Sequence, residues 1–130
     1  MRQEAAWVIS NLAASSVEHK RLIYASEATP LLINFLLSAP FDVRKEAAYA
    51  LGNLCVAPTG SVGLSNIILD HLVSIVHQGC LPGIINLVKS PDMESARLGL
   101  QFLELVREFI YAYSMLYPSF FLWVILSHLF

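Results

Sequence analysis

An eleven-residue stretch is written twice in this chain, and the two copies start 42 residues apart. Arg2-Gln3-Glu4-Ala5-Ala6-Trp7-Val8-Ile9-Ser10-Asn11-Leu12 returns as Arg44-Lys45-Glu46-Ala47-Ala48-Tyr49-Ala50-Leu51-Gly52-Asn53-Leu54, with six positions identical. A fixed period of this size implies stacked helical units that share one continuous core. Each copy reads as a helix, since Ala and Leu favour that state and no Pro interrupts. Positions four apart share a helix face. Trp7 therefore sits beside Asn11, and Tyr49 beside Asn53, on equivalent faces of equivalent helices. An aromatic next to an amide, repeated, suits a surface that holds a ligand.

The units around these copies follow from local signals. Residues 1–14 read as one amphipathic helix. Ser15-Ser16 offers a break and an N-cap, and a helix from about Val17 to Tyr24 follows. Ala25 to Thr29 read as a short turn. Pro30 suits the first position of a buried apolar helix, Leu31 to Leu37. Ser38-Ala39-Pro40 ends it, and Asp42 opens a long helix, Val43 to Cys55. The third unit has the same plan behind a longer entrance. Ala57 to Ser65 reads as an exposed loop, Ile67 to His77 as a helix, Gly79 as a left-handed C′ residue, and Pro82 as a second Pro30. Ile85, Asn86 and Ser90 match Ile33, Asn34 and Ser38 at an offset of 52; the two Asn suit hydrogen bonding between repeats. Asp92 caps a last helix through about Glu108, where Gln101 and Leu105 replace the aromatic–Asn pair.

These residues carry a family resemblance. The stretches at 2–11 and 44–53, the Phe41-Asp42-Val43-Arg44-Lys45-Glu46 junction and the Gln78-Gly79-Cys80-Leu81-Pro82 helix start resemble armadillo repeats of importin alpha, the nuclear-import adaptor family, and are most similar to its plant-type sequences. The resemblance covers residues 1–108 and corresponds to the end of repeat seven, then repeats eight and nine. It implies an all-α fold, a right-handed armadillo-type α-solenoid of about two and a third repeats. Residues 1–14 would be the last helix of one repeat, 15–56 and 57–108 two full repeats, and 109–130 an apolar non-repeat tail.

The resemblance also implies a function, the binding of Lys/Arg-rich nuclear localisation signals of cargo at the family's minor site. On the matching positions, Trp7 and Tyr49 would be slot walls for the stems of basic side chains. Asn11 and Asn53 would clamp the peptide backbone, with Glu46, and Glu4 in the first copy, pairing with cationic heads. Tyr49 departs from the commoner Trp, which implies a shallower slot. The segment that engages importin beta lies outside the match, so that contact is not expected; contact with the export receptor is likewise in doubt. The family works in both cytoplasm and nucleus.

Other classes fit poorly. A net charge of −2 with no basic run does not suit nucleic acid. Two cysteines make no disulfide framework, and no basic-then-apolar leader opens the chain, so a cytosolic or nuclear setting is expected. His71, His77 and Cys80 have ligand-type chemistry, but a zinc site usually needs four ligands. No phosphate loop or nucleophile elbow is present, so neither cofactor nor catalysis is expected. The last 22 residues hold 8 of the 14 aromatics and no Asp, Glu, Lys or Arg. Three readings stand for them: a membrane anchor, a helix covering an open solenoid end, or a segment foreign to the repeat plan from a misjoined frame. The alternative function is a scaffolding armadillo segment without an import role, held at a membrane by the tail.

Overall fold

The computed structural model describes residues 2–56 and 67–129. Eight helices are found among them: α1 Arg2–Ala13, α2 Val17–Ala25, α3 Ala28–Ser38, α4 Phe41–Leu54, α5 Leu69–His77, α6 Leu81–Val88, α7 Met93–Leu116 and α8 Pro118–Leu129. The two written copies are α1 and α4, packed side by side as the most extensive helix pair, and α7 continues that row beyond α4. Behind the row, α3 packs on α4, α6 packs on α7, and α3 meets α6. The fold is the all-α armadillo solenoid that the period implies.

One core runs through the stack, formed by Leu32 and Leu36 of α3, Ala47, Leu51 and Leu54 of α4, Leu72 and Ile75 of α5, Ile84 and Leu87 of α6, and Phe102 of α7. Small residues set the close approaches. A Cβ on Gly83 would lie 2.7 Å from Leu36 Cγ and 3.2 Å from its carbonyl oxygen, and one on Gly99 would lie 3.0 Å from the Ile84 carbonyl oxygen. These two glycines let α6 meet α3 and α7 at near-backbone distance. Gly79 has φ +96°, the left-handed conformation expected of it.

The C-terminus of α4 ties the units together. The last carbonyls of a helix need partners from outside it, and here each comes from a different place. Asn53 O accepts from Lys20 Nζ of α2 at 2.7 Å, Leu54 O pairs with His71 Nδ1 of α5 at 2.8 Å, and Cys55 O accepts from Ile68 N at 2.8 Å. The His71 ring also stacks on Tyr24, with centroids 3.9 Å apart. His71 therefore serves packing. Among the described residues no three His, Cys, Asp or Glu side chains gather as a metal would need.

Several boundaries differ from the sequence reading. The third helix starts at Ala28, before Pro30, and α6 at Leu81, before Pro82. Both prolines lie within the first turn, where the N–H groups have no intrahelical partner, so a ring one or two positions further in costs no bond. The N-cap of α4 is Pro40, with Asp42 inside the first turn. Ile67 bridges to Val56 in place of starting a helix. Leu31 and Leu37 of α3 are half exposed, so only one face of that helix is buried. The expected bond between repeats is not made by Asn34, which is exposed and whose carbonyl accepts from Ser38 on its own helix. The loop expected over Ala57 to Ser65 lies outside the described residues.

The helix expected to stop near Glu108 runs on to Leu116. Tyr117 breaks it, and Pro118 opens α8. At 12 residues α8 is shorter than the roughly 20 that span a bilayer. Among the described residues no single helix is long and apolar enough to cross a membrane. Among the described residues one bent pair, α5 with α6, reaches that length and apolar character together, kinked by 89°, and both helices supply the core.

Candidate functional site

Within the row α1, α4, α7, the first two helices present the repeated residues. Ala6 on α1 and Ala47, Ala48 and Ala50 on α4 are buried, because small side chains let these helices pack closely. That packing turns the aromatic and Asn positions outward. Trp7 is 57% exposed, with Asn11 one turn on and also exposed. Tyr49 and Asn53 are half-buried at the same register of α4.

Both carboxamides are oriented by helix backbone. Asn11 Nδ2 donates to Trp7 O at 3.0 Å, inside α1. Asn53 Nδ2 reaches across to α1 and donates to Ser10 O at 3.3 Å. Asn53 thus makes the repeat-to-repeat bond that the sequence reading assigned to Asn34 and Asn86. Each amide has a second N–H and an oxygen besides the donor used here, which is the pair that clamping a peptide bond requires.

Tyr49 is held from the other side. Its hydroxyl donates to Glu94 Oε1 of α7 at 2.5 Å, and Glu94 Oε2 pairs with Lys45 Nζ at 2.6 Å. These bonds hold the Glu94 carboxyl below its ordinary range and raise both the Lys45 ammonium and the Tyr49 phenol. The Tyr49 ring is thus anchored at its hydroxyl end to α7. Burial raises the Glu46 carboxyl, with Lys45 opposing and Glu94 adding to the shift. A cation brought to Glu46 would relieve that penalty. Glu4 is exposed at the start of α1.

Between α4 and α7 lies a groove of about 400 Å³ whose walls include Tyr49 and Asn53 on one side and Gln101 and Leu105 on the other. The positions that break the aromatic–Asn ladder therefore still border it, with an apolar lining.

Two residues of this region went unnoticed in the sequence. Glu94 lies in the first turn of α7 and reaches α4 only once the helices pack. Lys20 is 2% exposed and donates to Ala13 O and Asn53 O, the ends of α1 and α4. A signal for it existed. At the offset of 52 that aligns Asn34 with Asn86, Lys20 falls on Leu72, another buried residue.

Comparison with known proteins agrees with this architecture. Residues 16–56 match the Armadillo/beta-catenin-like repeat. The chain is 61% identical to importin subunit alpha-2 of Oryza sativa subsp. japonica over 106 residues, 82% of this chain and 20% of that protein. It is 59% identical to importin subunit alpha-9 of Arabidopsis thaliana over the same length. The chain spans about a fifth of the length of these curated relatives. Among solved structures, a structural-genomics crystal structure of an engineered protein aligns with a TM-score of 0.65 at 23% identity, covering 85% of this chain and 44% of that one. That likeness concerns the fold alone.

Proposed function

The repeat region of this chain belongs to the importin alpha family, and from that premise we propose that it acts in nuclear import by holding the Lys/Arg-rich localisation signal of cargo along α1 and α4. Trp7 and Tyr49 are the walls for basic side-chain stems, Asn11 and Asn53 the backbone clamps, and Glu46 with Glu4 the partners of cationic heads. The chain would work in cytoplasm and nucleus and has no catalytic role.

The observation that carries this reading is the outward Trp7–Asn11 pair at the register of Tyr49–Asn53, on two helices joined by the Asn53–Ser10 bond. Packed helices lie about 8–10 Å apart, and an extended peptide advances about 3.3 Å per residue. One Asn per helix thus meets the peptide every two to three residues and sets its register. A cation over an indole contributes on the order of 0.5–2 kcal/mol.

The test is fluorescence anisotropy of a labelled Lys-rich signal peptide against a scrambled peptide of equal charge. Sequence-dependent binding that falls at least fivefold in Trp7→Ala supports the reading. Equal binding of both peptides would leave the scaffold alternative.

A further inference from the structure

The groove between α4 and α7 differs in chemistry from the ladder it adjoins. Its floor is Leu98 and Phe102, both buried, with Ala48 and Gly52 of α4 on the near side. Where α4 carries Tyr49 and Asn53, α7 carries Gln101 and Leu105. Gly52 takes the place that Ser10 holds in α1, and a Cβ built on it meets nothing within 4 Å. A side chain at position 52 would therefore project into open space.

We propose that this groove is a subsite for one apolar side chain, Leu-sized or aromatic, of the same extended peptide whose basic residue lies between Trp7 and Tyr49. The inference rests on the peptide-binding reading above and adds a preference to it. Continuity identifies the occupant, because Tyr49 and Asn53 line the groove and also belong to the ladder. A chain clamped by Asn53 must pass over the groove as it leaves α4 for α7. The interhelix distance and the rise of an extended chain place the apolar residue two to three positions from the basic one. Gln101 at the edge gives its flanking amides a polar neighbour, the one lining carboxylate, Glu104, is already paired with Arg107, and the floor offers no polar partner to a second Lys or Arg. A cationic head pushed into that floor would lose hydration without a counter-charge.

The experiment uses the full chain and three labelled peptides: a basic signal with Ala at the flanking positions, and the same signal with Leu three residues before or three residues after the basic pair. The expected result is about five- to tenfold tighter binding of one Leu peptide, as half-burial of such a side chain gives. In Gly52→Leu, whose new side chain fills the groove, the ratio of Leu to Ala peptide should fall to one. Thermal melting of Gly52→Leu checks that it folds, and Gly52→Ala, which leaves most of the groove open, should keep the preference. Binding of the Ala peptide with no gain for either Leu peptide overturns the subsite and leaves the adaptor reading standing. A gain that survives in Gly52→Leu overturns it too. Failure of every peptide to bind overturns both readings.

Discussion

Lys20 Nζ donates to the main-chain carbonyl of Asn53 across 2.7 Å, so a buried ammonium on α2 holds the helix end that carries the ladder amide. The same ammonium reaches Ala13 O at the end of α1. Two helix C-termini, each with partial negative charge, therefore converge on one cation. Burial lowers the Lys20 ammonium below its ordinary range, and the two carbonyls are what keep it tolerable inside.

Lys20→Met keeps the volume and removes both bonds. A loss of about 1–3 kcal/mol is expected, the cost of leaving buried carbonyls without a donor. Thermal melting measures it. Hydrogen exchange should show faster opening at the ends of α1 and α4 specifically, and an unchanged exchange pattern there would contradict the assignment.

Tyr49→Phe keeps the ring and cuts the bond to Glu94. The expected cost is about 0.5–1.5 kcal/mol. A double-mutant cycle with Glu94→Gln should return a non-zero coupling energy, because the two groups share one contact. The Glu94 carboxyl is held below its ordinary range, so its contribution is present above the unfolded carboxylate value and is lost as pH falls through the folded one. The acid limb of the stability profile should flatten in Glu94→Gln.

Tyr49→Trp tests the depth of the slot. A wider face over a cationic stem should tighten a Lys-rich peptide severalfold. The variant also gives up the hydroxyl bond to Glu94 and should melt lower than the parent. Unchanged affinity would mean that this wall does not touch the ligand.

The same substitution at three glycines should have opposite signs. Gly52→Ala meets open space and removes a helix-destabilising residue, so a gain approaching 1 kcal/mol is expected. Gly83→Ala and Gly99→Ala press on neighbouring backbone at 3.2 Å and 3.0 Å and should each cost about 1–3 kcal/mol. Chemical denaturation of the three variants checks the order.

Burial pushes the Cys80 thiol up to about 11 from an ordinary 9.0, and raises Cys55 as well. A raised thiol contributes stability that is whole below the unfolded value and disappears as pH climbs to the folded one. Stability should decline between about pH 9 and 11, by roughly 2 kcal/mol for Cys80. Alanine at both cysteines should shallow that decline in a pH series of melts.

By itself the sequence determined the period, the helical state of both copies, the pairing of Trp7 with Asn11 and of Tyr49 with Asn53, and the stacked architecture. All of these are set within a single helix by 3.6-residue geometry and by spacing along the chain. Tertiary structure alone decided which surface each face meets. Tyr49 found Glu94, Asn53 rather than Asn34 bridged two repeats, and α7 ran eight residues past its expected end. Lys20 went inside because two helix ends met around it, although a lysine is ordinarily an exposed residue. Periodicity says which side chains share a side. It does not say what lies opposite them, since that depends on crossing angles and close approaches that form only when the units stack.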